Sequence, residues 1–248
     1  MTNTNWKAPA DTALVIVDVQ NDFCPGGALA VNEGDEVVPV INDLRGAFDT
    51  VIVTQDWHPE GHKSFASSHE GKAPMDVINM PYGDQVLWPD HCVQGSEGAN
   101  FHKGLDLKPS DKILRKGKNP EIDSYSGFFE NDGKSKPAFD STGKTLADTL
   151  RDKGITKVVF VGLAYDFCVG WHALDALNEG FKSAVVKDAT RSIAIPGEDG
   201  APDTETSMTL QLQQAGAVIT DSKAIAKLLT GVSNNGGGEY RGPEMPKP

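Results

Sequence analysis

The chain has 248 residues, 38% of them hydrophobic and 23% charged, enough apolar content for one sizeable core and too much for wholesale disorder. Its net charge of -12 argues against a nucleic-acid or anionic-membrane binder, because both need basic patches to displace counterions or meet lipid headgroups. Three cysteines, an odd number in a chain this large, point to free thiols in a reducing compartment rather than a disulfide framework.

The first apolar run, residues 13–17, is too short for a signal-peptide core or a membrane span; the expected location is the cytoplasm. From there, β-branched runs alternate with helical periodicity. Strands are expected at 13–18, 50–55, 112–116, 157–163, 183–188 and 217–221, and helices at 36–47, 144–153, 168–178, 204–215 and 222–229. Gly154, Gly180 and Gly216 fall where helix stops belong. Several strands are apolar at nearly every residue, as parallel strands covered on both faces are. The pattern predicts an α/β fold, a three-layer α/β/α arrangement with a mainly parallel six-stranded sheet of Rossmann-like type. Residues 58–111 form a long Gly-, Pro- and His-rich connection, which in a compact domain signals function. Residues 127–143 read as a polar flap or lid. One domain is expected over residues 1–230, followed by a flexible Gly/Pro-rich tail at 231–248.

Ligands of open parallel sheets bind beyond the carboxyl ends of the strands. Those ends carry Asp18, then Asp56 and His58, then Lys116, and after the fourth strand Cys168. Any one of them is ordinary punctuation; their coincidence on one edge is the signal. Cys168 opens a predicted helix, whose positive end favours a thiolate and whose free N–H groups suit an oxyanion. Asp56 and His58, two apart, share one face of an extended segment. With a third donor such as His91 they would suit zinc, iron or manganese with open positions for water or substrate. His62 is a further candidate, and His69 is read as surface. Four of the six histidines lie from His58 to His91, which raises the metal reading above that of lone surface histidines.

The segments VDVQNDFCPGG (17–27), QDWHPEGHKSF (55–65), WPDHCVQG (88–95), RKGKNPEIDSYSGF (115–128) and GLAYDFCV (162–169) resemble the nicotinamidase/pyrazinamidase group of the isochorismatase-like hydrolases. The resemblance spans most of residues 13–221 and implies a metal-containing cysteine amidase that converts nicotinamide to nicotinate and ammonia through a thioester, in NAD salvage. It implies a catalytic triad of Asp18, Lys116 and Cys168 and an oxyanion hole at the amides of Ala164 and Cys168, with a cis peptide bond before Ala164. It further implies ring contacts at Phe23, Trp88 and Tyr125 and metal ligands at Asp56, His58 and His91. One divalent ion follows, zinc first, with iron or manganese accepted by the same donors. His62 matches a position that is a ligand in only part of the family and stays open, and Phe167 sits where relatives vary. Cys24 and Cys92 are read as structural. The expected partners are nicotinamide, pyrazinamide and related carboxamides, with no nucleic acid and no membrane; a homo-oligomer is left open. Rival readings are an amidase for a non-aromatic carbamoyl or ureido compound, a vinyl-ether hydrolase, hydrolysis by metal-activated water, and a non-catalytic binder on the same fold.

Overall fold

The computed structural model describes residues 6–139 and 143–231. In chain order the regular elements are β1 (Thr12–Val17), α1 (Val37–Arg45), β2 (Thr50–Asp56), β3 (Val77–Met80), β4 (Gly83–Val86), β5 (Lys112–Lys116), α2 (Leu146–Asp152), β6 (Lys157–Leu163), α3 (Gly170–Asn178), β7 (Lys182–Arg191), α4 (Thr204–Ala215), β8 (Val218–Thr220) and α5 (Ile225–Thr230). Six strands form one parallel sheet in the order β5-β2-β1-β6-β7-β8.

The central strands β1 and β6 are covered on both faces, their apolar residues running without polar alternation. In β1, Leu14 and Ile16 join one core with Ile41 and Leu44 of α1 and Ile225 of α5. Ala13, Val15 and Val17 join the other, with Leu146 and Leu150 of α2, Ala173 of α3 and Leu212 of α4. Each fully buried Leu, Ile or Val stabilises the fold by about 1.5–3 kcal/mol over its exposed state. The helices start and stop on local chemistry. Thr145 and Asp148 form a reciprocal capping box on α2. Asp203 caps α4 by accepting from Thr206 N, and Gly216 closes that helix in the left-handed conformation.

The chain order of strands reverses at β1, whose neighbours are β2 and β6. That switch point opens a crevice at the carboxyl ends of the strands. The expected element positions hold to within a few residues, with two departures. The 58–111 connection contains an antiparallel hairpin, β3–β4, whose short strands lack any sustained alternation. The expected helix from 168 begins at Gly170, after a π-helical turn spanning Tyr165–Val169. Within 127–143, Phe128 is buried and Asn131 accepts a bond from Tyr125 N at 3.0 Å, which ties the start of the segment to the body. The flexible-tail reading of 231–248 lies outside the described residues beyond Gly231. No helix among the described residues is long and apolar enough to cross a membrane.

Candidate active site and metal centre

The carboxyl ends of β1, β2, β5 and β6 bring the expected residues together. Asp18 follows β1 directly, in a left-handed conformation (φ 47°) that turns the chain away from the sheet. Its backbone N–H donates to Thr54 Oγ1 (3.2 Å), and that hydroxyl donates to Asp18 Oδ1 (2.7 Å). The other oxygen, Oδ2, lies 3.0 Å from Lys116 Nζ yet accepts no hydrogen bond. The Lys116 ammonium donates to Asp56 Oδ1 (2.9 Å), to the Ser124 carbonyl (2.8 Å) and toward Cys168 Sγ (3.5 Å). Those three partners match its three protons, so Asp18 Oδ2 is an ion-pair partner whose lone pairs stay uncommitted.

Burial dominates the titration of this corner. It raises Asp18 above the ordinary carboxylate range; Lys116 pulls the other way, and Asp56 adds a like-charge push upward. Burial would lower the Lys116 ammonium, but the Asp18 and Asp56 carboxylates outweigh it and hold the group well above the usual lysine range. Burial also pushes the Cys168 thiol well above its ordinary value, with Lys116 offsetting only part. This corrects the expectation that a helix start favours the thiolate. Cys168 lies inside the π turn rather than at the first turn of α3, and desolvation of the anion is the larger effect.

Ala164 and Cys168 both line a small pocket, and the Leu163–Ala164 bond is cis, as expected. Trp88, Tyr125 and Phe167 meet edge-to-face on one side of it, Trp88 to Phe167 at 4.8 Å and 89° and Tyr125 to Phe167 at 5.6 Å and 71°. Phe23 also lines the pocket, edge-on to His91 (5.5 Å). Phe167 is therefore part of the aromatic wall on equal terms with the residues expected there. Ile193 closes the wall from the loop after β7, and Asp166 holds that loop by accepting from Ile193 N (3.0 Å) and Ala194 N (2.8 Å).

Asp56, His58 and His91 place one ligand atom each within 4.8 Å of one another, and all three are buried. The hydrogen bonds on the far sides of the rings fit a cation. His58 Nδ1 donates to the Gly117 carbonyl (3.0 Å) and His91 Nδ1 to the Pro89 carbonyl (2.8 Å). A carbonyl can only accept, so each Nδ1 carries hydrogen and each Nε2 points at Asp56 Oδ2, at 2.9 and 3.3 Å. Burial alone would lower His58, but the facing Asp56 carboxylate outweighs it and raises the group; a cation bound there would compete with a proton for Nε2. Burial alone would likewise raise Asp56; His58 and Lys116 overcome it and hold the carboxylate well below its ordinary range.

His62 behaves differently. Its ligand atom also lies within 4.8 Å of His58 and Asp123, but Nε2 donates to the Asn119 carbonyl (2.7 Å) and Nδ1 accepts from Ser64 N (3.1 Å). Both nitrogens are committed to the chain. Burial lowers its pKa to about 4, with the His58 charge adding to the shift. His69 Nε2 reaches only the Lys63 carbonyl, and Cys24 and Cys92 are free, buried thiols.

Several supports were not read from the sequence. Thr54 orients Asp18 and was visible as a hydroxyl directly after the apolar run VIV of β2. Gln20 clamps the end of β2, accepting from Asp56 N (2.7 Å) and donating to Asp56 O (2.8 Å); it stood inside a recognised motif without a role. Ser124 acts through its carbonyl, which no side-chain pattern signals.

The isochorismatase domain family matches residues 12–224. The nicotinamidase of Acinetobacter baylyi is 50% identical over 197 residues, covering 79% of this chain and 89% of that protein. The Escherichia coli nicotinamidase is 46% identical over 195 residues, covering 76% and 87%. Among solved structures, the Acinetobacter baumanii nicotinamidase/pyrazinamidase superposes with a TM-score of 0.80 at 44% identity, covering 88% of this chain and 100% of that one. PnC1 from L. infantum, in complex with nicotinate, gives 0.70 at 35% over 88% and 96%. The Pyrococcus horikoshii pyrazinamidase, in complex with zinc, gives 0.64 at 34% over 85% and 99%.

Proposed function

The chain belongs to the isochorismatase family, in its nicotinamidase/pyrazinamidase group, and from that premise we propose that it hydrolyses nicotinamide to nicotinate and ammonia with Cys168 as nucleophile. The observation that carries the reading is the single ammonium of Lys116 set between Asp18, Asp56 and Cys168, buried in the lining of a pocket walled by Trp88, Tyr125 and Phe167.

Because burial keeps the proton on sulfur at rest, attack needs a base, and Asp18 Oδ2 is the buried oxygen with free lone pairs. It takes the thiol proton as sulfur bonds to the amide carbon. The oxyanion is held by the N–H groups of Ala164 and Cys168, each worth about 3 kcal/mol in comparable holes. When the C–N bond breaks, Asp18 returns its proton to the departing ammonia. Water then attacks the thioester with Asp18 again as base, the C–S bond breaks, sulfur recovers a proton and nicotinate leaves. Lys116 stabilises the transient negative charge on sulfur and fixes Asp18 beside it. The three groups titrate as a unit.

Asp56, His58 and His91 would hold one divalent ion, zinc first and iron or manganese by the same donors. Bound there, it supplies a Lewis-acid contact that orients the ring nitrogen of the substrate. Phe23, Trp88 and Tyr125, joined by Phe167, pack the ring, which also admits pyrazinamide. A cytosolic enzyme with one hydrolase domain over residues 1–230 belongs to the same proposal.

Ammonia release from nicotinamide by the purified protein tests the reading, together with metal content. We expect nicotinate and ammonia in equal amounts, loss of turnover on chelation and its return with zinc. His91→Ala should bind less than a tenth of the wild-type zinc, while His62→Ala should bind it fully. Absence of ammonia from the metal-loaded protein would overturn the amidase assignment. Equal zinc in the His91 variant and the wild type would remove that residue from the ligand set.

A further inference from the structure

His172 lies on α3 one turn beyond Cys168 and is fully buried. Its Nδ1 is 2.7 Å from the Cys168 carbonyl oxygen and its Nε2 is 2.7 Å from the Gly127 backbone nitrogen. The carbonyl can only accept and the amide can only donate. One state of the imidazole satisfies both, the neutral ring with hydrogen on Nδ1. Burial agrees, lowering the group to about 3, so the ring stays neutral throughout the working range of pH. The packing is equally specific. The rings of Phe160 and Phe128 lie 6.0 and 6.3 Å from it. A Cβ at residue 127 would sit 2.9 Å from His172 Nε2 and 2.8 Å from Leu114 Cδ2, so the loop approaches this closely only because Gly127 has no side chain.

The loop held by this contact carries two parts of the site. The Ser124 carbonyl accepts a hydrogen bond from Lys116 Nζ, and Tyr125 forms part of the pocket wall. Its shape is set internally, by Ser124 Oγ donating to the Ser126 carbonyl (2.8 Å) and Phe128 N donating to Ser126 Oγ (3.0 Å). An internally stiff loop moves as one piece when an outside anchor is released. On α3, Asp175 adds a second anchor through its bond with the Ser126 side chain.

We propose that His172 is a positioning residue for the amidase reaction: its neutral ring ties the turn that bears Cys168 to the 124–128 loop, and so sets the pocket wall and the Lys116 acceptor relative to the nucleophile. The inference rests on the amidase reading for its kinetic test. Its two hydrogen bonds can be separated by substitution. Gln places an amide oxygen at the ε position and keeps an acceptor for Gly127 N–H. Asn places an amide nitrogen at the δ position and keeps only the donor to Cys168. Phe keeps the ring and loses both.

The experiment measures KM and kcat for nicotinamide, and separately the rate of Cys168 alkylation by iodoacetamide without substrate, with Cys168→Ala as the blank. The expected result for His172→Phe is a KM raised about tenfold, as for one buried N–H left unpaired, with a changed alkylation rate. His172→Asn should match it, and His172→Gln should return KM to within about twofold of wild type by restoring that one hydrogen bond. Equal KM values for the Gln and Asn variants would overturn the proposal. So would losses that follow the folded fraction alone, with wild-type KM and alkylation rate per folded molecule. If the Phe variant does not fold, the Gln and Asn pair decides. If the wild type releases no ammonia, the amidase reading has failed, and the alkylation rates still test the strut.

Discussion

Strand β5 has a buried ion pair at each end, and the two differ in how their charges balance. At the amino end, Arg45 is 2% exposed and its Nη2 lies 2.9 and 2.8 Å from the two carboxylate oxygens of Asp111. Asp106, the other carboxylate nearby, is 3.8 Å from Arg45 Nε and mostly in solvent. One buried cation thus meets one buried anion. At the carboxyl end, one ammonium faces two buried carboxylates and a thiol. There burial raises Asp18 above the ordinary carboxylate range, with Lys116 offsetting part and Asp56 adding to the push, and Asp18 Oδ2 has no hydrogen-bond donor. The lesson is general to buried charge: an isolated pair fastens elements together, whereas a cluster of several coupled groups holds one of them ready to exchange a proton.

Asp18→Asn tests that distinction most severely. The amide cannot take the thiol proton, so kcat should fall about a thousandfold with the fold retained by circular dichroism. Activity within tenfold of wild type would remove Asp18 as the base. Arg45→Met strikes the isolated pair and should do the reverse. It strands the Asp111 carboxylate and should cost about 3 kcal/mol of stability in urea denaturation, while kcat/KM per folded molecule stays at the wild-type value. A catalytic defect without a stability defect would erase the contrast between the two ends.

The smallest effect concerns Asp175, a third carboxylate, partly buried beside Ser126 and Asn178, whose pKa burial raises from 3.8 to about 6. The folded state prefers the protonated acid. Below about pH 4 that preference is fully present, and it is lost as pH rises through 6. Asp175→Asn, which never ionises, should therefore gain on the order of 1 kcal/mol over wild type at pH 8 after allowance for solvent screening, and nothing at pH 4. Melting temperatures at the two pH values read this directly, and an equal shift at both would discard the ionisation account.

Much of the architecture was legible in the chain. The runs ALVIV and KVVFVGL are apolar at almost every position, and only a strand covered on both faces tolerates that. Glycines at 154, 180 and 216 marked helix ends and adopt positive φ there. The β3–β4 hairpin was not legible, because four-residue strands such as GDQV carry no periodicity to detect. Within the site, side-chain chemistry at strand ends was readable and support through the backbone was not. The Ser124, Gly117 and Pro89 carbonyls fix Lys116, His58 and His91, and any residue type offers a carbonyl. Phe167 was seen as variable, and its place in the aromatic wall follows from the π turn that redirects it.

The sequence by itself determined the parallel α/β layering and which acid, amine, thiol and imidazole side chains reach the carboxyl edge of the sheet, since alternation patterns and strand ends are local properties. Only the tertiary structure decided their states. Whether a thiol keeps its proton, or His62 turns both nitrogens to the chain while His58 keeps one for Asp56, depends on desolvation and on partners distant in sequence, which exist only once the chain has folded.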